Sequence, residues 1–190
     1  MAATADTAQR ILDIAERLVQ TRGYNGFSYA DIAEAMQVTK ASLHYHFRSK
    51  ADLGAELIER YERNFLVALA QIDREAKDAA DKLRRYAAIY GGVLRANRMC
   101  LCGMLAAEFG TLPKPMKEFM RHFFEANESW LVEVLQEGKK DKSLKFTGAP
   151  SDIAQTLIGA LEGAMMIARS YSDPKRFDAV SNRLLAELRA

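Results

Sequence analysis

Twelve residues, Thr39 to Lys50, contain Lys40, Arg48 and Lys50 and no acid. Such a cluster suits phosphate, although the whole chain carries a formal charge of only +2. Thr39, Lys40, Ala41 and Ser42 open the stretch and are small or polar, so a backbone here could approach a nucleic acid closely. A solvated basic turn would have the same composition. His44 and His46 stand two apart, so on a helix they face different ways, which argues against a metal pair. Cys100 and Cys102 offer a second chemistry: a thiolate near Arg95 and Arg98 could sense oxidants or electrophiles. The same two thiols would serve equally as small buried apolar groups. Metal binding by the Cys-x-Cys pair with His122 lacks an evident fourth ligand. A third set is large and soft. Phe65, Tyr86, Tyr90, Met104, Phe123, Trp130, Met165 and Met166 could line a small-molecule pocket or simply fill a core.

The elements that must position these residues are helical. Ile11, Leu12, Ala15, Leu18 and Val19 recur at three- and four-residue steps, and Arg22-Gly23 ends that stripe. Ser28 and Asp31 have capping-box spacing, which predicts a short helix over 29–36. Thr39 caps the next, about 40–45, so only Gln37-Val38-Thr39 separate the pair. Ala33, Val38 and Leu43 are the expected contacts between them. Ser49 and Asp52 repeat the cap spacing and start a long helix to about 76. Asp78 or Asp81 caps a helix to about 97. Further helices are expected over 101–109, from Pro115 to 137, over 152–171 and over 175–188, with 138–150 a polar loop. No strand alternation, fixed repeat or low-complexity segment is visible, so the fold class is all-α.

Composition narrows the function classes. With 49% apolar residues the chain can build a sizeable core. Two cysteines are too few for a disulfide framework, which fits a reducing, cytoplasmic setting. No basic-then-apolar leader is present, and no apolar run reaches the length of a membrane span. Glycine-rich phosphate loops, nucleophile elbows and HExxH motifs are missing, so an enzyme is not expected and no cofactor is implied.

Phe27-Ser28-Tyr29-Ala30-Asp31-Ile32-Ala33, followed by the run from Val38 to Leu53, resembles the signature of the tetracycline-repressor (TetR) family. The resemblance spans about Ile11 to Leu57. It implies a helix-turn-helix DNA-binding domain over 1–51 and a helical ligand-binding and dimerising domain over 52–190. It implies a homodimer on a double-stranded operator, released by an unidentified small-molecule inducer. Ser28, Tyr45 and Lys50 become the expected phosphate contacts, with Thr39 adding a helix N-terminus. Lys40, Ala41, Ser42 and His44 become candidates for base or groove contact. Phe47 is expected in the core, and Tyr45 with its ring packed and its hydroxyl at the DNA backbone. His46 is either a half-buried partner of a backbone group or a DNA contact. Two positions depart from the pattern: Gln37 stands where the family usually has glycine, and His44 where it usually has tyrosine. The last two helices, with Gly159 and Gly163 on one face, are assigned to the dimer interface. A thiol-sensing repressor using Cys100 and Cys102, or a DNA-anchored protein acting through a protein partner, are the competing functions.

Overall fold

The computed structural model describes residues 2–189, with side chains from residue 6. Among these residues there are nine α-helices: α1 (Ala2–Arg22), α2 (Tyr29–Met36), α3 (Lys40–His46), α4 (Lys50–Glu75), α5 (Ala79–Arg95), α6 (Leu101–Ala107), α7 (Lys114–Asp141), α8 (Pro150–Ser170) and α9 (Pro174–Leu188). A single 3-10 turn, Phe109–Thr111, follows α6. The only extended pairing among the described residues is an isolated bridge between Leu144 and Arg189. The all-α reading therefore holds.

Two compact units divide the chain. The first takes residues 1–63 and 101–123, and the second takes 64–100 and 124–190. The unit carrying α2 and α3 thus extends past residue 51 and recruits a distant segment containing α6.

Helix ends follow local chemistry. Ser28 and Asp31 form the full capping box that their spacing predicts. Ser49 and Asp52 repeat it: Ser49 N–H donates to the Asp52 carboxylate at 3.1 Å and Asp52 N–H to Ser49 Oγ at 3.1 Å. Asp78, of the two candidates, caps α5 by accepting from Asp81 N–H at 2.8 Å. α7 runs four residues further than expected, to Asp141. Gly138, the first residue of the expected polar loop, lies inside the helix. A Cβ there would lie 2.4 Å from Leu144 Cδ1, so the missing side chain makes room for Leu144 to fold back and donate its N–H to Gly138 O at 3.0 Å.

In the first unit, Ile11, Leu12, Ala15 and Val19 of α1 are buried, with Ile32, Leu43, Leu53, Leu57 and Ile58. Burying each of the leucine, isoleucine and valine side chains stabilises by about 1.5–3 kcal/mol before chain entropy is subtracted. Arg60 of α4 ties the same unit to α1, donating to Asp13 at 2.6 Å and Glu16 at 2.7 Å. In the second unit Leu83, Tyr86, Leu131, Leu135, Met165 and Phe177 are shut away from solvent.

Candidate nucleic-acid interface

α2 and α3 are joined by a tight, strained turn. Gln37 adopts φ 57°, ψ 43°, the left-handed region. Its N–H donates to Glu34 O at 3.1 Å, and Val38 N–H donates to Ala33 O at 3.0 Å, the Schellman pattern that closes a helix end. Ile32, Ala33 and Leu43 are buried between the helices, but Val38 is 37% exposed and does not serve as the expected contact. Ile32 fills the interior instead. Tyr29 Oη, on α2, donates to Phe47 O at the end of α3 at 2.9 Å. Burial lifts that phenol to about 12, with the Asp52 charge adding, so it stays a donor at any ordinary pH.

This frame leaves one side of α3 open. Thr39, Lys40, Ala41, His44 and Arg48 are exposed and Ser42 is half-buried. Thr39 Oγ1 caps the helix by accepting from Ser42 N–H at 3.3 Å. No acid lies in the first turn of α3, so the helix N-terminus and Lys40 add their positive ends in one place. His44 Nδ1 sits 3.1 Å from Arg48 O. If that nitrogen carries the proton, Nε2 is left as an acceptor facing solvent.

Three expectations change. Tyr45 is 78% exposed. Its ring is not packed in the core and only meets His46 edge-on at 5.3 Å, so the whole side chain is free for a partner. Phe47 is core, as expected, at 4% exposure. Lys50 is the largest revision. Its ammonium donates to Tyr24 O at 2.5 Å and to Phe27 O, and sits 4.4 Å and 4.2 Å from the centroids of the Tyr24 and Phe27 rings. Desolvation pulls its pKa down, against the nearby carboxylates of Glu108 and Asp31. Two of its three N–H donors are therefore spent holding the loop between α1 and α2. Ser28 is likewise committed, its Oγ donating to Asp31 at 2.9 Å while accepting from Ala30 N–H at 3.2 Å.

Sequence reasoning missed Glu108. Its carboxylate accepts from Tyr24 N–H at 2.5 Å, Asn25 N–H at 3.2 Å and Asn25 Nδ2 at 3.2 Å. Gly23 (φ 83°) is pressed so close that a Cβ would meet Glu108 Oε1 at 2.8 Å. The loop feeding α2 is thus gripped by Lys50 through its carbonyls and by Glu108 through its amides. Nothing within a few residues of Glu108 signals this; the pairing spans more than eighty positions.

The aromatic and methionine set separates on folding. Phe65, Tyr86, Tyr90 and Trp130 do meet in the second unit. Tyr86 stacks on Trp130 at 5.5 Å, and Phe65 stands edge-on to Tyr86 and Tyr90 at 6.1 Å and 6.2 Å. Tyr86 Oη donates to Asn127 Oδ1 at 3.0 Å and lies 3.0 Å from Tyr90 Oη. Met165 is buried in the same unit, but Met166, one residue on, is 55% exposed. A helix turns about 100° per residue, and here that rotation carries Met166 out to the surface. Met166 leaves the pocket set. Phe123 and Met104 belong to the first unit, where Phe123 packs on Tyr61 at 5.6 Å.

Cys100 and Cys102 are both buried. Arg95, one of the cations invoked for them, is instead exposed and paired with Asp178 at 3.1 Å. The group beside Cys100 is a carboxyl, Glu162, which burial raises to about 7 while a hydrogen bond from the Cys100 thiol draws it slightly down. His122 lies on α7, 3.5 Å from Glu62. Among the described residues no three His, Cys, Asp or Glu side chains could hold a metal ion.

α8 and α9 present the open apolar face assigned to a dimer. Ala160, Gly163, Ala164, Ile167, Ala179 and Val180 line a cleft there, with Arg176 at its edge. A Cβ on Gly159 or Gly163 would meet nothing within 4 Å. No described helix is long and apolar enough to cross a membrane.

A family model for bacterial regulatory proteins of the tetR family matches residues 11–57, and one for the tetracyclin repressor-like C-terminal domain matches residues 67–184. The chain belongs to the tetracycline-repressor family. This regulator superposes on a TetR-family transcriptional regulator from Agrobacterium tumefaciens with TM-score 0.95 at 31% identity, over 98% of this chain and 100% of that one. A TetR regulator from Legionella pneumophila gives TM-score 0.86 at 33% identity, over 95% and 96%. Among curated proteins it is 26% identical over 178 residues to the HTH-type transcriptional repressor NemR of Escherichia coli, covering 87% of each chain. It is a DNA-binding transcriptional regulator, and its family is not one of enzymes.

Proposed function

We propose that this regulator is a cytoplasmic repressor that binds a palindromic operator as a homodimer and lets go when a small molecule enters its second unit. The observation that carries the DNA half is the exposed, acid-free side of α3, with Thr39, Lys40, Ala41, His44 and Tyr45 presented together. Thr39, Tyr45 and Arg48 take the phosphates. Lys40, Ala41, Ser42 and His44 reach the groove. Ser28 and Lys50 act chiefly by shaping the turn that carries α2; Ser28 has its one hydroxyl proton committed to Asp31, and Lys50 keeps one N–H donor for a phosphate. Pairing through α8 and α9 sets two such faces about one helical turn of DNA apart, or a multiple of it.

The inducer half rests on the aromatic cluster of Phe65, Tyr86, Tyr90 and Trp130, the kind of lining that takes apolar or amphipathic ligands. A ligand weakens the operator only through its preference for the conformation that does not bind DNA. Coupling of about 1–3 kcal/mol corresponds to a 5- to 150-fold loss of affinity. Thiol sensing is the weaker reading, because both cysteines are buried and Cys100 lies beside a carboxyl. A protein partner would need an apolar patch away from α8 and α9, and outside the reading unit the described large apolar residues of that kind are Leu66 and Val67 of α4.

Selection of a duplex from random sequence, followed by titration at several salt concentrations, tests the reading. A steep salt slope and a palindromic site are expected. Lys40→Ala should weaken binding and alter the preferred sequence. A half-site bound as tightly as the whole site would overturn the dimeric scheme.

A further inference from the structure

The second unit contains a buried carboxyl that its own fold leaves poorly satisfied. Both carboxylate oxygens of Glu162, on α8, are sealed from solvent and lack a well-formed hydrogen bond among the described residues. The Cys100 thiol is the polar neighbour within reach. Tyr86 and Tyr90 of α5 are close enough to feel its charge, and these phenols belong to the ring cluster with Phe65 and Trp130. No positively charged side chain is among the groups that set its ionisation. A buried carboxyl whose one polar neighbour is a weakly donating thiol is costly in either protonation state, and native folds rarely keep one without a use. The ring cluster that Tyr86 and Tyr90 join presents electron-rich faces, which attract cations as well as apolar bodies.

We propose that Glu162 is the recognition group for a ligand carrying a protonated amine on an aromatic or aliphatic body, with the Phe65, Tyr86, Tyr90 and Trp130 rings receiving that body. This rests on the reading that the second unit is the ligand chamber, and supplies the charge class that reading lacks. A carboxylate-bearing ligand would meet like charge. A neutral apolar one would leave Glu162 with no donor beyond the Cys100 thiol. An ammonium donates up to three hydrogen bonds and neutralises the carboxylate in a low-dielectric setting, where a charge-assisted bond is strongest. Because the ligand needs Glu162 ionised, binding also displaces a proton whenever the carboxyl starts out protonated.

The test uses three molecules of nearly one shape on the full chain: 4-phenylbutylamine, 4-phenylbutan-1-ol and 4-phenylbutanoate, titrated by calorimetry. The amine should bind at least about tenfold more tightly than the other two, equivalent to about 1.4 kcal/mol. Its affinity should rise between pH 6 and 8, by up to about tenfold per unit while Glu162 starts out protonated, and the alcohol's should not. Glu162→Gln should abolish both the preference and the pH slope. The slope on the unaltered protein stands even if that variant folds poorly. Equal binding of alcohol or carboxylate, an intact amine preference in Glu162→Gln, or no binding by any of the three would each overturn the proposal. Release of a bound operator duplex is measured alongside. An alcohol that binds best and releases DNA would sink the charge assignment while leaving the inducer scheme standing. An amine that binds through Glu162 without moving operator affinity would support the recognition site and sink the inducer scheme.

Discussion

Gln37 holds a left-handed conformation that its side chain gains nothing from. Replacing it with glycine removes a Cβ clash worth about 1–2 kcal/mol for an L-residue in this region. Glycine also loosens the unfolded chain, which takes back about 0.4–1 kcal/mol. Gln37 is exposed, so its removal subtracts little else. The net expectation for Gln37→Gly is a gain of about 0.5–1 kcal/mol, or a rise in Tm of about 1–4 °C for a chain of this size. Asparagine tolerates this conformation better than most residues, and alanine keeps the clash. Stability should therefore run Gly above Asn above Ala. Urea melts of the four proteins, followed by far-UV circular dichroism, give the order. Operator affinity should not fall, because the Schellman bonds from residues 37 and 38 are kept. A glycine variant no more stable than the alanine variant would refute the claim that this turn is strained.

Three further outcomes follow from other sites. The carboxyl of Glu162 is raised from 4.5 to about 7 by burial, so the stability it confers is complete below the unfolded value and is lost as pH rises through about 7. Linkage sets the loss between pH 5 and 8 at about 2–3 kcal/mol per protomer; the urea midpoint of Glu162→Gln should lack it, and parallel pH profiles would show that the group is not buried neutral. Glu108→Gln puts an amide where two backbone N–H groups need an acceptor. It should cost about 1–3 kcal/mol and lower operator affinity, measured by melt and by fluorescence anisotropy; unchanged DNA binding would free the α1–α2 loop of any positioning role. Gly163→Leu should raise the helicity of the protomer, since leucine is favoured over glycine in a helix by about 1 kcal/mol and open space surrounds the position. The same side chain would wedge a facing helix, so light scattering should report monomers, and a dimer of normal strength would move the interface elsewhere.

Sequence alone determined every element whose rule is local. Three- and four-residue spacing gave the helices, and cap-to-acid pairs at Ser28/Asp31 and Ser49/Asp52 set two starts within a residue, because capping is a contact between near neighbours. The run from Phe27 to Leu53 carried the family for the same reason: the reading unit is built from short helices whose turn chemistry is written in consecutive residues. Gly138 marks where local reading fails, since its lack of a side chain serves Leu144 rather than a helix end. Tertiary structure alone decided which residues share a site. It sent Lys50 to two carbonyls, turned Tyr45 outward, brought Glu108 to a loop more than eighty residues away, and split Met165 from Met166. It also buried Glu162 beside Cys100. Each outcome depends on burial and on partners distant in the chain, and neither quantity has a period or a spacing that a sequence could display.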